Sequence, residues 1–295
     1  MHDEYFATTR FADLDTQRHV TSRTYEEFAL EGRYRVLAKL GYNQERIQNE
    51  NIYLEAISGY SKFHRQQFPG AQLNVQTFVA KVNPSPPTAP LPLPRGGAGG
   101  GVLHWDQKIK DQAGELVCHL QLKTRTTKGG TALELEGIET AENFEVLYSD
   151  LEPWNGSNER IVSHYTMPYS DRDFAGRYNV ASLWRIFEEG RWMFAEQTGM
   201  TYERIVEMDT TSFYMGSICN YFAAVPAGRT LQIMTWIERV EKIRYYFRQD
   251  VVLNGKVLLS MRDEQLIVSL SRARPQRASE KFLGFIGKYL EHGPG

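Results

Sequence analysis

Apolar residues recur at helical spacing in two long stretches of the chain, and each stretch is followed by alternating or fully apolar runs. The first pattern predicts a helix over 23–40, closed by Gly41, and the second predicts a helix over 181–198. A short strand is predicted before each helix and about four antiparallel strands after it, with hairpin turns at 111–114 and 253–255. Strands that follow a single long helix indicate an α+β fold, in which the helix packs on a curved antiparallel sheet.

An internal repeat runs through the chain at an offset of 158 residues. Asp13 and Asp15 match Asp171 and Asp173, and the register continues without a gap to residue 82. Beyond that point an offset of 141 is needed to match Trp105 with Tyr246 and Gly114 with Gly255. The first copy carries a proline- and glycine-rich insertion, 84–100, which we interpret as a surface loop between two strands.

The repeat predicts two domains of the same architecture. Their expected limits are listed here: an N-terminal domain 1–135 that includes the insertion, a linker 136–158, a C-terminal domain 159–278, and a C-terminal helix and tail 279–295. Glu31-Gly32-Arg33 recurs as Glu189-Gly190-Arg191 within the two helices, and we interpret this as a structural pairing with the sheet or a neighbouring helix.

Composition narrows the class of protein. The 295 residues are 41% hydrophobic and 24% charged with a formal net charge of −2, which is typical of a soluble globular protein without a basic nucleic-acid surface. No apolar run reaches the roughly 18 residues of a membrane helix, and no secretory signal is visible at the N-terminus. Two cysteines cannot build a disulfide framework, so we expect a cytoplasmic protein.

Candidate chemistry is concentrated in the run Asp15-Thr16-Gln17-Arg18-His19, immediately before the first predicted helix. An aspartate and a histidine in one turn can provide a base or nucleophile, and a helix N-terminus offers free backbone N–H groups that can stabilise a developing oxyanion. Thr21 or Ser22 is expected to cap that helix. Aspartates before a helix are also common turn formers, so a purely structural role stays open. No zinc-ligand spacing, phosphate loop or dinucleotide motif is present, and we predict neither metal nor cofactor.

The run FADLDTQRHVTSRTYEEFALEGRY resembles the signature of hotdog-fold thioesterases, and YSDRDFAGRYNVASLWRIFEEGRW resembles a more diverged copy of it. The resemblance covers both halves of the chain. It implies a tandem hotdog, two curved sheets each wrapped on a central helix that form an intrachain pseudo-dimer. Departures are also visible: Gln17 replaces an asparagine of the family, Thr21 and Ser22 replace two more, and Arg177 replaces the histidine in the second copy.

The resemblance implies an acyl thioester hydrolase acting on acyl-CoA or an acyl carrier protein. In the plant-type enzymes of this family the catalytic copy is the second, but here the first copy keeps polar residues at every relevant position, so we expect the main site there. The implied catalytic residues are Asp15, Gln17, His19 and, in place of an acid on the strand after the helix, Gln66. The implied substrate-binding residues are Thr21, Ser22, Tyr25, Asp173 and Asn179. Two alternatives stay open, a dehydratase or hydratase on the same fold and a non-catalytic acyl-thioester-binding protein. We expect no membrane or nucleic-acid partner, and a homodimer of the double unit is compatible with the fold.

Overall fold

The computed structural model describes residues 1–15, 18–82 and 101–291. These residues divide into two compact units. Unit 1 contains 1–149 together with 172–182, and unit 2 contains 150–171 and the chain from 183 onward. A short segment of the second repeat therefore packs with the first. The predicted insertion 84–100 and Gln17 lie outside the described residues.

Unit 1 is an antiparallel sheet with a long helix against it. Its strands are β1 (His2–Thr8), β2 (Ile52–Phe63), β3 (Gln72–Val82), β4 (Val102–Lys110), β5 (Leu116–Lys128) and the short β6 (Thr131–Ala132) and β7 (Thr140–Ala141). The five long strands lie in the order β1-β3-β4-β5-β2. Helix α1 (Ser22–Lys39) covers one face, with Tyr25 and Ala29 buried against Leu73, Val75 and Ile109. A short helix, α2 (Gln44–Asn49), precedes β2.

Unit 2 repeats this order of strands. They are β8 (Ile161–Thr166), β9 (Thr211–Tyr221), β10 (Thr230–Glu241), β11 (Arg244–Leu253), β12 (Lys256–Ser269) and the short β13 (Arg274–Pro275). The long strands are ordered β8-β10-β11-β12-β9, with the long helix α3 (Val180–Thr198) and the short helix α4 (Tyr202–Glu207) between β8 and β9. The predicted tail helix is confirmed as α5 (Glu280–Ile286), whose Phe282 and Ile286 join the core of this unit.

The predicted long helices are confirmed to within one residue at either end, and the two hairpin turns lie where they were expected. The short helices α2 and α4 were not predicted. Each has six residues, too few to show an apolar period, although Asn43 and Thr201 cap their first turns through side-chain oxygens.

The match of Trp105 with Tyr246 is wrong by one residue. Trp105 lies opposite Val79, whereas Ile237, the residue 158 positions after Val79, lies opposite Phe247. Strands β4 and β11 therefore correspond at an offset of 142, and the offset of 141 holds only after the hairpin turn, which is one residue longer in unit 1. Since side chains alternate between faces, the one-residue difference decides which aromatic side chain enters the core.

The repeated Glu-Gly-Arg motif is a structural pairing with the sheet, as expected. A Cβ on Gly32 would overlap the Thr77 hydroxyl, and one on Gly190 would overlap the Gln249 amide. Both helices therefore approach the sheet at a distance that only glycine permits. The following arginines are tied to buried polar groups, Arg33 to Glu26 and Gln107, and Arg191 to Asp263.

Candidate active site

The first loop folds around the Asp15 side chain. Oδ1 of Asp15 accepts the His19 backbone N–H at 3.0 Å, and the backbone N–H of Asp15 donates to His19 O at 2.9 Å. Arg18 turns the chain with a φ of +66° and donates its N–H to Asp15 O at 3.0 Å. The Asp15 side chain is exposed, and the half-buried His19 ring lies edge-on to Phe68 with 6.0 Å between centroids. The loop thus holds a carboxylate and an imidazole in one tight turn.

The loop leads directly into the N-terminus of α1. Thr21 is confirmed as the N-cap, since its hydroxyl accepts the Thr24 N–H at 3.4 Å, and Ser22 is the first residue of the helix. Thr21 N–H donates to Asp13 O at 2.9 Å, and the buried Asp13 carboxylate is held by the Arg10 guanidinium at 2.7 Å. These contacts fix the loop at the positive end of the helix dipole, where an oxyanion is stabilised.

Two further predicted residues differ in their surroundings. Tyr25 is almost completely buried in the core of unit 1, edge-on to Phe63, and burial raises the pKa of its phenol. The placement of Gln66 on the strand after the helix is wrong, because β2 ends at Phe63 and Gln66 lies exposed beyond it. The neighbouring Gln67 does meet the first loop, where its carbonyl accepts the Val20 N–H at 3.2 Å.

The second loop has the same backbone as the first. Asp173 N–H donates to Arg177 O at 2.7 Å, Gly176 N–H donates to Asp173 O at 2.9 Å, and Asp173 Oδ1 accepts the Arg177 N–H at 3.1 Å. Gly176, with a φ of +70°, stands where Arg18 stands in the first loop. Asn179 replaces Thr21 as the group that accepts a first-turn N–H, that of Ser182 at 2.9 Å. The repeat is therefore preserved at the level of single hydrogen bonds.

The side chains around the second loop are different. Arg177 Nη1 lies 2.7 Å from Glu55 Oε1, and the guanidinium stands 4.7 Å from the ring centre of Tyr53. Burial, followed by the Asp173 carboxylate, raises the pKa of Tyr34 to about 12 and also raises that of Tyr53. Asp173 is therefore half-buried beside phenols that stay protonated, whereas Asp15 is exposed.

Glu55 was missed by the sequence reasoning. It is the one acidic residue of β2, and its partner Arg177 is 122 positions away along the chain. An acidic side chain among the mostly apolar residues in the first half of the strand was the available signal.

Three other observations bear on the chemistry. Among the described residues, no group of three or more histidine, cysteine, aspartate or glutamate side chains is arranged to hold a metal ion. Within the same ranges, no helix is long and apolar enough to cross a membrane. Cys118 and Cys219 are both buried and reduced, and burial raises the pKa of the Cys118 thiol, so this thiol is a poor nucleophile.

The fold is shared with solved thioesterase structures. The chain is similar to a protein described as an oleoyl thioesterase from Lactobacillus plantarum (TM-score 0.68, 10% identity, 90% of this chain and 96% of the other). It is also similar to an acyl-ACP thioesterase from Bacteroides thetaiotaomicron (TM-score 0.59, 13% identity, 90% of this chain and 97% of the other). A third similar structure is the 12:0-ACP thioesterase from Umbellularia californica (TM-score 0.61, 11% identity, 90% of this chain and 97% of the other). The chain has the tandem hotdog fold.

No protein-family model matches the sequence, and no curated protein matches it. The resemblance to hotdog-fold thioesterases seen in the sequence is confirmed by the similarity to these solved structures. At 10–13% identity the similarity establishes the fold, and the chemistry has to be argued from the loops themselves.

Proposed function

We propose that this protein hydrolyses acyl thioesters, carried on coenzyme A or on an acyl carrier protein, and that the first loop is the reactive one. The observation that carries the proposal is a contrast between two loops that have the same backbone hydrogen bonds but different side-chain surroundings. The first presents an exposed carboxylate with a histidine in the same turn, and the second has an arginine in place of that histidine and a half-buried carboxylate beside the phenols of Tyr34 and Tyr53. The thioesterase activities named for the structural neighbours support the reaction class.

In this proposal Asp15 is the base that activates water, or the nucleophile that attacks the thioester carbonyl. His19 orients the reacting group or shuttles a proton, since it lies in the same turn as Asp15. The N-terminus of α1 supplies backbone donors and a positive dipole end for the oxyanion. Gln17 is proposed to hold the water or the carbonyl by hydrogen bonds. We further propose a cytoplasmic protein that acts on its substrate without a membrane and can associate as a homodimer of the double unit.

The test is a hydrolysis panel over acyl chain lengths, each offered on coenzyme A and on carrier protein. Asp15→Asn keeps an oxygen that accepts the His19 N–H, so the loop is retained while the charge is lost. We expect turnover to fall by about 10²–10⁴, the usual contribution of a general base. The unfolding midpoint should move little.

Asp173→Asn is the matched control, because it makes the same change in a loop of the same backbone. It should reduce turnover less than Asp15→Asn does. Unchanged turnover in Asp15→Asn, or a larger loss from Asp173→Asn, would contradict the assignment to the first loop. Acyl-CoA binding without any hydrolysis by the wild type would contradict the proposed activity as a whole.

A further inference from the structure

A buried pair of polar side chains recurs beneath the long helix of each unit. In unit 1 the pair is Thr77 and Gln107, which are cross-strand partners on β3 and β4. In unit 2 it is Thr235 and Gln249, partners in the same way on β10 and β11. All four side chains are at most 1% exposed. A polar group buried this deeply normally has a hydrogen-bond partner, so the contacts of the two pairs can be compared directly.

The pair in unit 1 is saturated by the protein. Gln107 Nε2 donates to the Ala29 carbonyl at 2.7 Å and to the Thr77 hydroxyl at 2.9 Å. Gln107 Oε1 accepts from the Arg33 guanidinium at 3.1 Å. Both polar ends of the amide and the threonine oxygen are therefore engaged, and this position is closed to a ligand.

The pair in unit 2 has the same residue types but not the same contacts. Within the ranges that the structure describes, neither the amide oxygen nor the amide nitrogen of Gln249 has a hydrogen-bond partner, and neither does the hydroxyl of Thr235. Both side chains are 0% exposed. Three polar atoms of complementary type are thus presented together inside a helix–sheet interior.

The difference has an identifiable cause in the arginine that follows the helix glycine. Arg33 is held by Glu26 of its own helix and reaches Gln107, but the residue equivalent to Glu26 in unit 2 is Trp184. Arg191 instead lies 2.6 Å from Asp263, on β12 opposite Phe247. The equivalent position in unit 1, opposite Trp105, is the apolar Leu122. Asp263 therefore draws the arginine away from the glutamine.

The surroundings define the chemistry of a ligand for this position. On the same faces of their strands, Thr235 is flanked by Ile233 and Ile237, and Gln249 by Phe247 and Val251, all of them buried. An ionised group would lose its hydration there without an opposite charge, since Arg191 is already paired. A neutral oxygen on an alkyl chain satisfies both the amide and the hydroxyl.

We propose that Thr235 and Gln249 form a recognition site in unit 2 for a hydroxyl or keto oxygen on an otherwise apolar acyl chain. This inference rests on the proposed function for its choice of an acyl ligand. It names an oxygenated acyl group as the preferred substrate class. Thr235 and Gln249 are specificity-determining residues in this proposal and take no part in the bond-breaking step.

The first experiment measures binding rather than turnover. The full chain is titrated calorimetrically with a hydroxy fatty acid and with the unsubstituted fatty acid of the same length. Wild type should bind the hydroxy acid about tenfold more tightly, the value of one well-formed hydrogen bond. Thr235→Val and Gln249→Met should each bring this ratio close to one. Thr77→Val, the matched change in unit 1, should leave the ratio unchanged.

A second measurement compares kcat/KM for the corresponding acyl-CoA pair. Hydrolysis of both substrates at equal rates would overturn the inference and leave the proposed function standing. Preferred binding of the hydroxy acid without hydrolysis of any thioester would overturn the proposed function and leave this inference standing. Two other outcomes would overturn the inference, because they would mean that the site holds only buried water. One is equal binding of both acids by wild type. The other is a loss of stability in the variants with an unchanged ratio of the two affinities. Thr235→Val, the smaller change, keeps the test valid if Gln249→Met does not fold.

Discussion

His104 gives the protein a stability that depends on pH. Its side chain is 8% exposed on β4, with its ring stacked on Tyr148 and edge-on to Phe144. Nδ1 forms a hydrogen bond with the Tyr148 hydroxyl. Burial, and then the positive charge of Lys123, lower the pKa of His104 from 6.5 to about 4. The folded protein therefore favours the neutral imidazole over the charged one.

The direction in which stability changes with pH follows from the difference in proton binding between the folded and unfolded states. A histidine whose pKa is lower in the folded state takes up its proton more readily when the chain is unfolded, so protons favour unfolding. The stabilisation is fully present above pH 6.5 and is lost as the pH falls towards about 4. A difference of about 2.5 pH units corresponds to about 3 kcal/mol, at 1.36 kcal/mol for each unit.

The assay is urea unfolding of wild type and His104→Gln at several pH values between 7 and 4. Glutamine does not titrate, so the variant should lack the part of the pH dependence that His104 causes. At pH 7 the variant should be less stable than wild type, and the difference should shrink by about 3 kcal/mol at pH 4. His164→Gln, at an exposed histidine, is the control and should follow the wild-type curve closely. Parallel curves for wild type and His104→Gln would refute the reasoning.

Two further predictions concern packing and charge. Gly32→Ala should destabilise the protein by about 1–3 kcal/mol in thermal unfolding, because the new methyl group overlaps the Thr77 hydroxyl, whereas Gly284→Ala in α5, where a Cβ meets nothing, should not. A cost below about 0.5 kcal/mol for Gly32→Ala would contradict the close approach of helix and sheet. Asp263→Ala should cost roughly 3 kcal/mol, since it leaves the largely buried Arg191 without its carboxylate. The exposed pair Lys281–Glu207 provides the comparison, where Glu207→Ala should cost less than about 1 kcal/mol.

Much of the fold could be predicted from the sequence because the internal repeat contains the same pattern of helix and strands twice. The helix over 181–198 shows an apolar period of its own, and its register with the first copy supports the same location. Gly41 and Gly199, each with a positive φ, follow the C-terminal ends of the two long helices. The predictions that failed concern short segments of the chain. A six-residue helix has no period to detect, and the aromatic run around Tyr246 offers several equally good partners for Trp105, so only the cross-strand pairs decide between them.

The first loop could be predicted as a candidate site because its residues are adjacent in sequence and repeated. The environment of the second loop could not. Tyr53 and Tyr34 lie beside Asp173, and Glu55 pairs with Arg177, from elements more than a hundred residues away, and no periodicity links them to the loop. The same limit applies to Asp263 and Arg191, whose pairing becomes visible only when two strands and a helix are in place.

The two copies separate what the fold requires from what the chemistry requires. Positions that agree, such as the aspartates that fold both loops and the glycines within both helices, have the same structural role in both units. Positions that differ change which polar groups are engaged. Arg177, in place of a histidine, pairs with Glu55, and Asp263, in place of a leucine, pairs with Arg191 and leaves the Gln249 amide without a hydrogen-bond partner among the described residues. The two loops share their backbone hydrogen bonds and the two polar pairs share their cross-strand positions, so the side-chain differences are the basis on which we propose reaction at the first loop and recognition of an oxygenated chain in the interior of unit 2.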